Sequence, residues 1–158
     1  MTQRAVLLEA LVSTPADVAR LMRGLDEAAA TWRPEGGQSC RDVVAHLSGS
    51  EEHYRAQFQL TLSQDTPVLA PPPTAEDSLL LASDDTALAA LTERFAEARA
   101  MTLALLQALG PAEWQRPAVH PTGGRTSLRF LVQELVANDI ALTSRLVTTR
   151  NQAREGGS

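Results

Sequence analysis

Four stretches of this chain space their apolar residues three and four positions apart, and no stretch alternates them. That spacing puts side chains on one face of a helix. Residues 14–32 carry Val18, Leu21, Met22, Leu25, Ala28 and Trp32 on such a stripe. Residues 40–64 carry Val43, Leu47, Ser50, Tyr54, Phe58 and Leu62. Residues 85–109 carry Leu88, Leu91, Phe95, Ala98, Met101 or Thr102, Leu105 and Leu109. The last stretch, from 126, carries Leu128, Leu131, Leu135, Asn138, Leu142 and Leu146. Such helices bury their stripes only against one another. The expected fold is all-α: a four-helix bundle with a long crossover connection.

The breaks between stripes support this division. Thr14 can cap a helix whose first position is Pro15, with a short helix over residues 4–12 ahead of it. Pro34, Gly36 and Gly37 end that segment, and Ser39 can cap the next. Residues 64–84 hold four prolines and keep no stripe until their end, as suits an overhand crossover. Gly110 and Pro111 close the third helix, and Thr126 is placed to cap the fourth. No strand is expected. A single domain over residues 1–150, with a fraying tail at 151–158, fits a chain of 158 residues.

Composition narrows the function classes. The net charge of −5 argues against nucleic acid, which requires a basic footprint. No apolar run is long enough for a membrane span, and Glu9 interrupts the apolar N-terminus, so a cytoplasmic location is expected. All 14 basic residues are Arg, which rules out Schiff-base and lysine-base chemistry. One cysteine, Cys40, excludes an internal disulfide and a multi-cysteine zinc site. It falls in the first turn of a helix beside Arg41, where a thiolate is favoured, although an inert small residue is the expected role.

The polar residues on the core stripes are the candidates for chemistry. His46 lies among Val43, Val44 and Leu47 and reads as a satisfied buried histidine, a metal ligand or an acid–base group. Asn138 occupies the last stripe, with Asp139 on its flank. His53 follows His46 by two turns. Glu51 and Glu52 read first as a solvated face, Arg99 as half of an ion pair, and His120-Pro121 as a turn.

Three segments resemble one family. "CRDVVAHLSGSEEHYRAQF", with His46, Leu47, Glu51 and Tyr54, is similar to the second helix of the DinB/YfiT-like proteins. "FAEARAMTLALLQAL", with Phe95 and Arg99, is similar to their third helix. "HPTGGRTSLRFLVQELVANDIALTSRL" is similar to their last segment. The resemblance implies a four-helix bundle with a pocket drawn from His46, Glu51, His53, Tyr54, Arg99, Asn138 and Asp139. It also implies a divalent metal, zinc or nickel, held by three histidines. One falls at His46; the other two belong to a His-Asp-x-x-His motif on the final helix. Here that motif aligns with Asn138-Asp139-Ile140-Ala141-Leu142, so both final-helix ligands are replaced. Leu142 has no lone pair, and an amide oxygen is a poor zinc ligand beside imidazole.

The expectation is therefore a bundle with a degenerate metal site and no bound cofactor. It would bind a small molecule or act as a homodimer in a stress-related role. The alternative is an S-transferase or isomerase that uses His46 with a metal or a low-molecular-weight thiol.

Overall fold

The structure, a computed structural model, describes residues 2–77 and 86–156. Four long helices form the bundle: α1 (Gln3–Met22), α3 (Cys40–Ser63), α4 (Leu88–Gln107) and α6 (Leu128–Gly156). Short helices α2 (Glu27–Thr31) and α5 (Pro111–Trp114) lie in the connections. Strands β1 (Pro117–Val119) and β2 (Arg125–Ser127) pair antiparallel, Ala118 opposite Thr126. The expectation of no strand is thus corrected.

Each long helix packs on two others, in the ring α1, α4, α3, α6. The apolar clusters give the directions. Val43 and Leu47 of α3 share one cluster with Leu88, Leu91 and Phe95 of α4, while Tyr54 and Phe58 share the other with Leu106. So α3 and α4 run parallel. Two parallel neighbours require a connection that returns along the bundle. Helix α3 has 24 residues and is about 36 Å long. The segment from Gln64 to Ala87 spans that length easily when extended.

The crossover begins with more order than its prolines suggest. Leu69 N–H donates to the Val119 carbonyl (2.9 Å), and Val119 N–H to the Pro67 carbonyl (2.8 Å). Ala70 N–H donates to Gln57 Oε1 at 2.9 Å. Leu69 is buried. The later part of the crossover, and the expected start of the third helix at Asp85, lie outside the described residues.

Helix α1 differs most from expectation. It is continuous through Thr14 and Pro15, so Thr14 is no cap and no separate helix covers residues 4–12. The break comes later, at Arg23 to Asp26, where Gly24 takes φ +75 and Asp26 caps α2. Ser39 caps α3 as expected and forms a reciprocal capping box with Asp42. Ser127, not Thr126, accepts from Phe130 N–H at the start of α6; Thr126 belongs to β2. Helix α6 continues through Gly156, where the tail was expected to fray, and buries Ala153.

Candidate functional site

A polar layer cuts the core into two apolar halves. Its centre is Arg99 of α4, which is wholly buried. Arg99 Nε and Nη2 donate to Glu51 at 2.8 and 2.7 Å. Nη1 and Nη2 donate to Asp139, both at 2.8 Å, and Nη1 also to the Leu11 carbonyl at 2.8 Å. A guanidinium has five N–H donors, and all five are used. Thr14 Oγ1 completes the layer with a 2.7 Å bond to Asp139.

The Leu11 carbonyl is free to accept because of Pro15. A helical carbonyl normally bonds the N–H four residues on, and proline has none. Each of the four long helices therefore contributes to the layer: Leu11 and Thr14 from α1, Glu51 from α3, Arg99 from α4, Asp139 from α6. Burial pushes the Asp139 carboxyl above the usual carboxylate range, against the pull of Arg99 and Thr14. Burial would likewise lower Arg99, but Glu51 and Asp139 hold its guanidinium above the ordinary value.

Several sequence expectations are corrected here. Glu51 is fully buried rather than part of a solvated face; Glu52 is exposed. Asp139 faces the core while Asn138 is half-buried, the reverse of the stripe assignment. Arg99 takes the core position expected for Ala98. Its role as an ion-pair partner agrees with the sequence reading. All five Arg99 donors are satisfied inside the layer, so these side chains tie the four helices together.

Beside the layer lie His46, Asn138 and Leu142. His46 lies within electrostatic reach of Arg145, and His53 of Glu134, which shows the relative level of α3 and α6. The helices are antiparallel, and Asn138 and Leu142 fall between those two levels. His46 is half-buried. Its Nδ1 and Asn138 Nδ2 are each buried with no hydrogen-bond partner among the described residues. Burial lowers the His46 imidazole below its ordinary value, the Arg145 charge lowers it further, and the Pro73 backbone opposes both. Leu142 is 2% exposed and sits in one apolar cluster with Val43, Leu47 and Leu146. Among the described residues, no three His, Cys, Asp or Glu side chains stand where they could share a metal ion.

His53 and Tyr54 belong to a separate arrangement one level along the bundle. Their rings meet edge-on at 5.3 Å. Tyr54 Oη donates to Glu134 Oε2 at 3.4 Å, and burial together with Glu134 pushes the phenol up to about 12. Burial lowers His53, with Glu134 opposing. Glu134 Oε1 also meets His120 Nε2 at 2.9 Å, and His120 Nδ1 meets Thr122 Oγ1 at 2.8 Å. So the His120-Pro121 turn is pinned to α6. Cys40 is fully buried, and burial pushes its thiol up to about 11 despite Arg150 and Arg154. Burial thus opposes the thiolate that the helix start and Arg41 would favour.

Sequence reasoning missed Glu134, Arg145 and Gln38. Glu134 and Arg145 lie on α6 one turn before Asn138 and two turns after it. Gln38 precedes the Ser39 cap, in a loop that no periodicity describes. Arg145 Nη1 donates to Gln38 Oε1 at 2.7 Å. Both residues line a cavity of about 680 Å³ between the 34–38 loop and the C-terminal half of α6.

No curated protein is detectably similar in sequence. Among solved structures, the chain is similar to YfiT from Bacillus subtilis, described as a probable metal-dependent hydrolase with an unusual four-helix bundle topology. The two share 20% identity at a TM-score of 0.76, over 92% of this chain and 87% of that one. The likeness is one of fold. The sequence pattern of the DinB superfamily matches residues 10–140, which takes in α1 from Ala10, all of α3 and α4, and α6 as far as Ile140, and this chain belongs to that superfamily.

Proposed function

We propose that this chain is a ligand-binding DinB bundle in which a three-imidazole metal centre has been dismantled. The observation that carries the reading is Leu142, at the second histidine position of the final helix and 2% exposed in an apolar cluster. An imidazole there would need its own polar partners, and the surrounding Val43, Leu47 and Leu146 offer none. With Asn138 at the other position, the donor set contains one imidazole and one amide. Three protein ligands and an open position are what a catalytic zinc requires. These residues do not fit the group.

The region keeps features of a pocket: His46 and Asn138 each hold a buried polar atom with no partner among the described residues, and Arg145, within electrostatic reach of His46, lines a cavity in the range used for small molecules. The test is elemental analysis of protein purified without a histidine tag. Sub-stoichiometric zinc and nickel are expected. Stoichiometric metal that disappears in His46→Ala would contradict the reading.

A second reading has one observation in its favour. His46 has a lowered proton affinity, which keeps its ring neutral as a general base for a low-molecular-weight thiol would need. Thermal-shift assays with glutathione and cysteine distinguish it. Stabilisation that His46→Gln abolishes would favour this second reading.

A further inference from the structure

We infer that the cavity between the 34–38 loop and the second half of α6 binds a small carboxylate, with Arg145 as its anchor. This rests on the reading of the region as a ligand pocket and names the class of ligand.

The charge pattern is the first argument. The chain carries a net −5, yet no acidic side chain lines this cavity among the described residues. Arg145 is the one ionisable group among those that do. Its hydrogen bond runs to Gln38 Oε1, a neutral amide oxygen, which orients the guanidinium without neutralising it. None of the ion pairs among the described residues involves it. Arg150 and Arg154 lie close enough to act on Cys40, so the same end of the bundle carries further positive charge. A cation would be repelled here; an anion is attracted.

The second argument is the hydrogen-bonding wall. Ser144, Arg145, Thr148, Thr149 and Gln152 line the cavity and recur at three and four residues along α6. They present hydroxyl, amide and guanidinium donors along two turns of one helix face. Opposite them, Gln38 Nε2 is buried without a partner, its amide oxygen being taken by Arg145. The Thr148 hydroxyl already donates to the Ser144 carbonyl, but among the described residues Gln38 Nε2 has no acceptor and Arg145 hydrogen-bonds only through Nη1, which calls for a ligand with acceptors.

The third argument separates carboxylate from phosphate. A single guanidinium forms a two-pronged pair with a planar carboxylate. A phosphate dianion would leave much of its charge unmatched by one Arg. The volume of about 680 Å³ leaves room for a body beyond the carboxylate, with the hydroxyls to recognise it.

The experiment follows backbone amide resonances of the full chain during titration with benzoate and succinate. Parallel titrations use the neutral isosteres benzamide and succinamide. The carboxylates should move the resonances of Gln38 and of Ser144 to Gln152 saturably, and the amides should not. Arg145→Gln, a change at an exposed position, should weaken carboxylate binding by about tenfold or more, with Arg145→Lys in between. If the neutral amides bind the same residues equally well and Arg145→Gln changes nothing, the pocket stands and the carboxylate assignment falls. If neither acids nor amides reach the cavity, the inference is overturned. Zinc added alone is the control on the underlying reading: one-to-one binding lost in His46→Ala would overturn the pocket proposal itself.

Discussion

Arg99 is surrounded on all sides by acceptors, and the cost of removing it follows from what it would leave behind. Arg99→Met strands two carboxylates in the core. A broken buried ion group of this kind costs about 3–5 kcal/mol, more than the replaced contacts are worth. Chemical denaturation should register that loss, and Arg99→Lys should recover little of it, because an ammonium offers three donors from one nitrogen where the guanidinium uses five from three. The triple change Arg99→Met, Glu51→Leu, Asp139→Leu should be more stable than Arg99→Met alone, since no buried charge remains. Equal stability of Arg99→Met and the parent would show the layer to be solvated. These charged residues also explain the phase errors made from sequence. Hydropathy directs the reader away from Arg99 and Asp139 and onto Ala98 and Asn138, one position off. Burial of charge within a four-helix layer is a tertiary property, and no local pattern announces it. His46 carries a pH consequence of its own. Its folded-state proton affinity is lowered from the ordinary value of 6.5, so folding favours the neutral ring. The stability it contributes is present above pH 6.5 and is lost as pH falls through the lower folded value. Histidine ring resonances should place the His46 midpoint below 6.5, and His46→Gln should flatten the acid side of the stability profile. A midpoint above 6.5 would contradict the burial.

Among the elements, α1 and the crossover hold the lessons. The Ser/Thr-Pro pair at Thr14 and Pro15 reads as a helix start, because proline is usually excluded from a helix interior. Here the missing N–H is useful: the Leu11 carbonyl it frees is taken by Arg99. That compensation comes from a residue 88 positions away and is invisible in the local sequence. The crossover was correctly legible as a long proline-rich connection, but its two anchoring amides were not. Amide exchange should therefore be fast at Thr66 and Val68 and slower at Leu69 and Ala70, which donate to Val119 and to Gln57. Gln57→Ala should selectively accelerate Ala70. Uniformly fast exchange would mean that the crossover does not dock on β1. At the other end, α6 outlasts its expected boundary because Ala153 is buried against the bundle. Truncation after Arg150 should lower the melting temperature rather than trim a loose tail.

For the molecule as a whole, four stripes and one long break were enough to give the bundle, because amphipathic helices of this length have few ways to bury their faces. No helix among the described residues is long and apolar enough to cross a membrane. The site was only half legible. His46, Asn138 and Leu142 could be picked out from the resemblance, and they form the site proposed above. Arg145 and Gln38 could not be picked out, since their significance comes from a loop meeting a helix. The account holds that metal binding was lost at two side chains while the scaffold that carried them remains. Calorimetric titration of zinc into the parent and into the double variant Asn138→His, Leu142→His tests this directly. Leu142→His should cost the apo variant about 2–4 kcal/mol by placing a polar ring in an apolar cluster. Zinc should restore part of that by binding only the folded state. The predicted result is tight one-to-one binding in the double variant, abolished by a further His46→Ala, and none in the parent. Stoichiometric zinc in the parent, or a double variant that folds and binds none, would contradict the account.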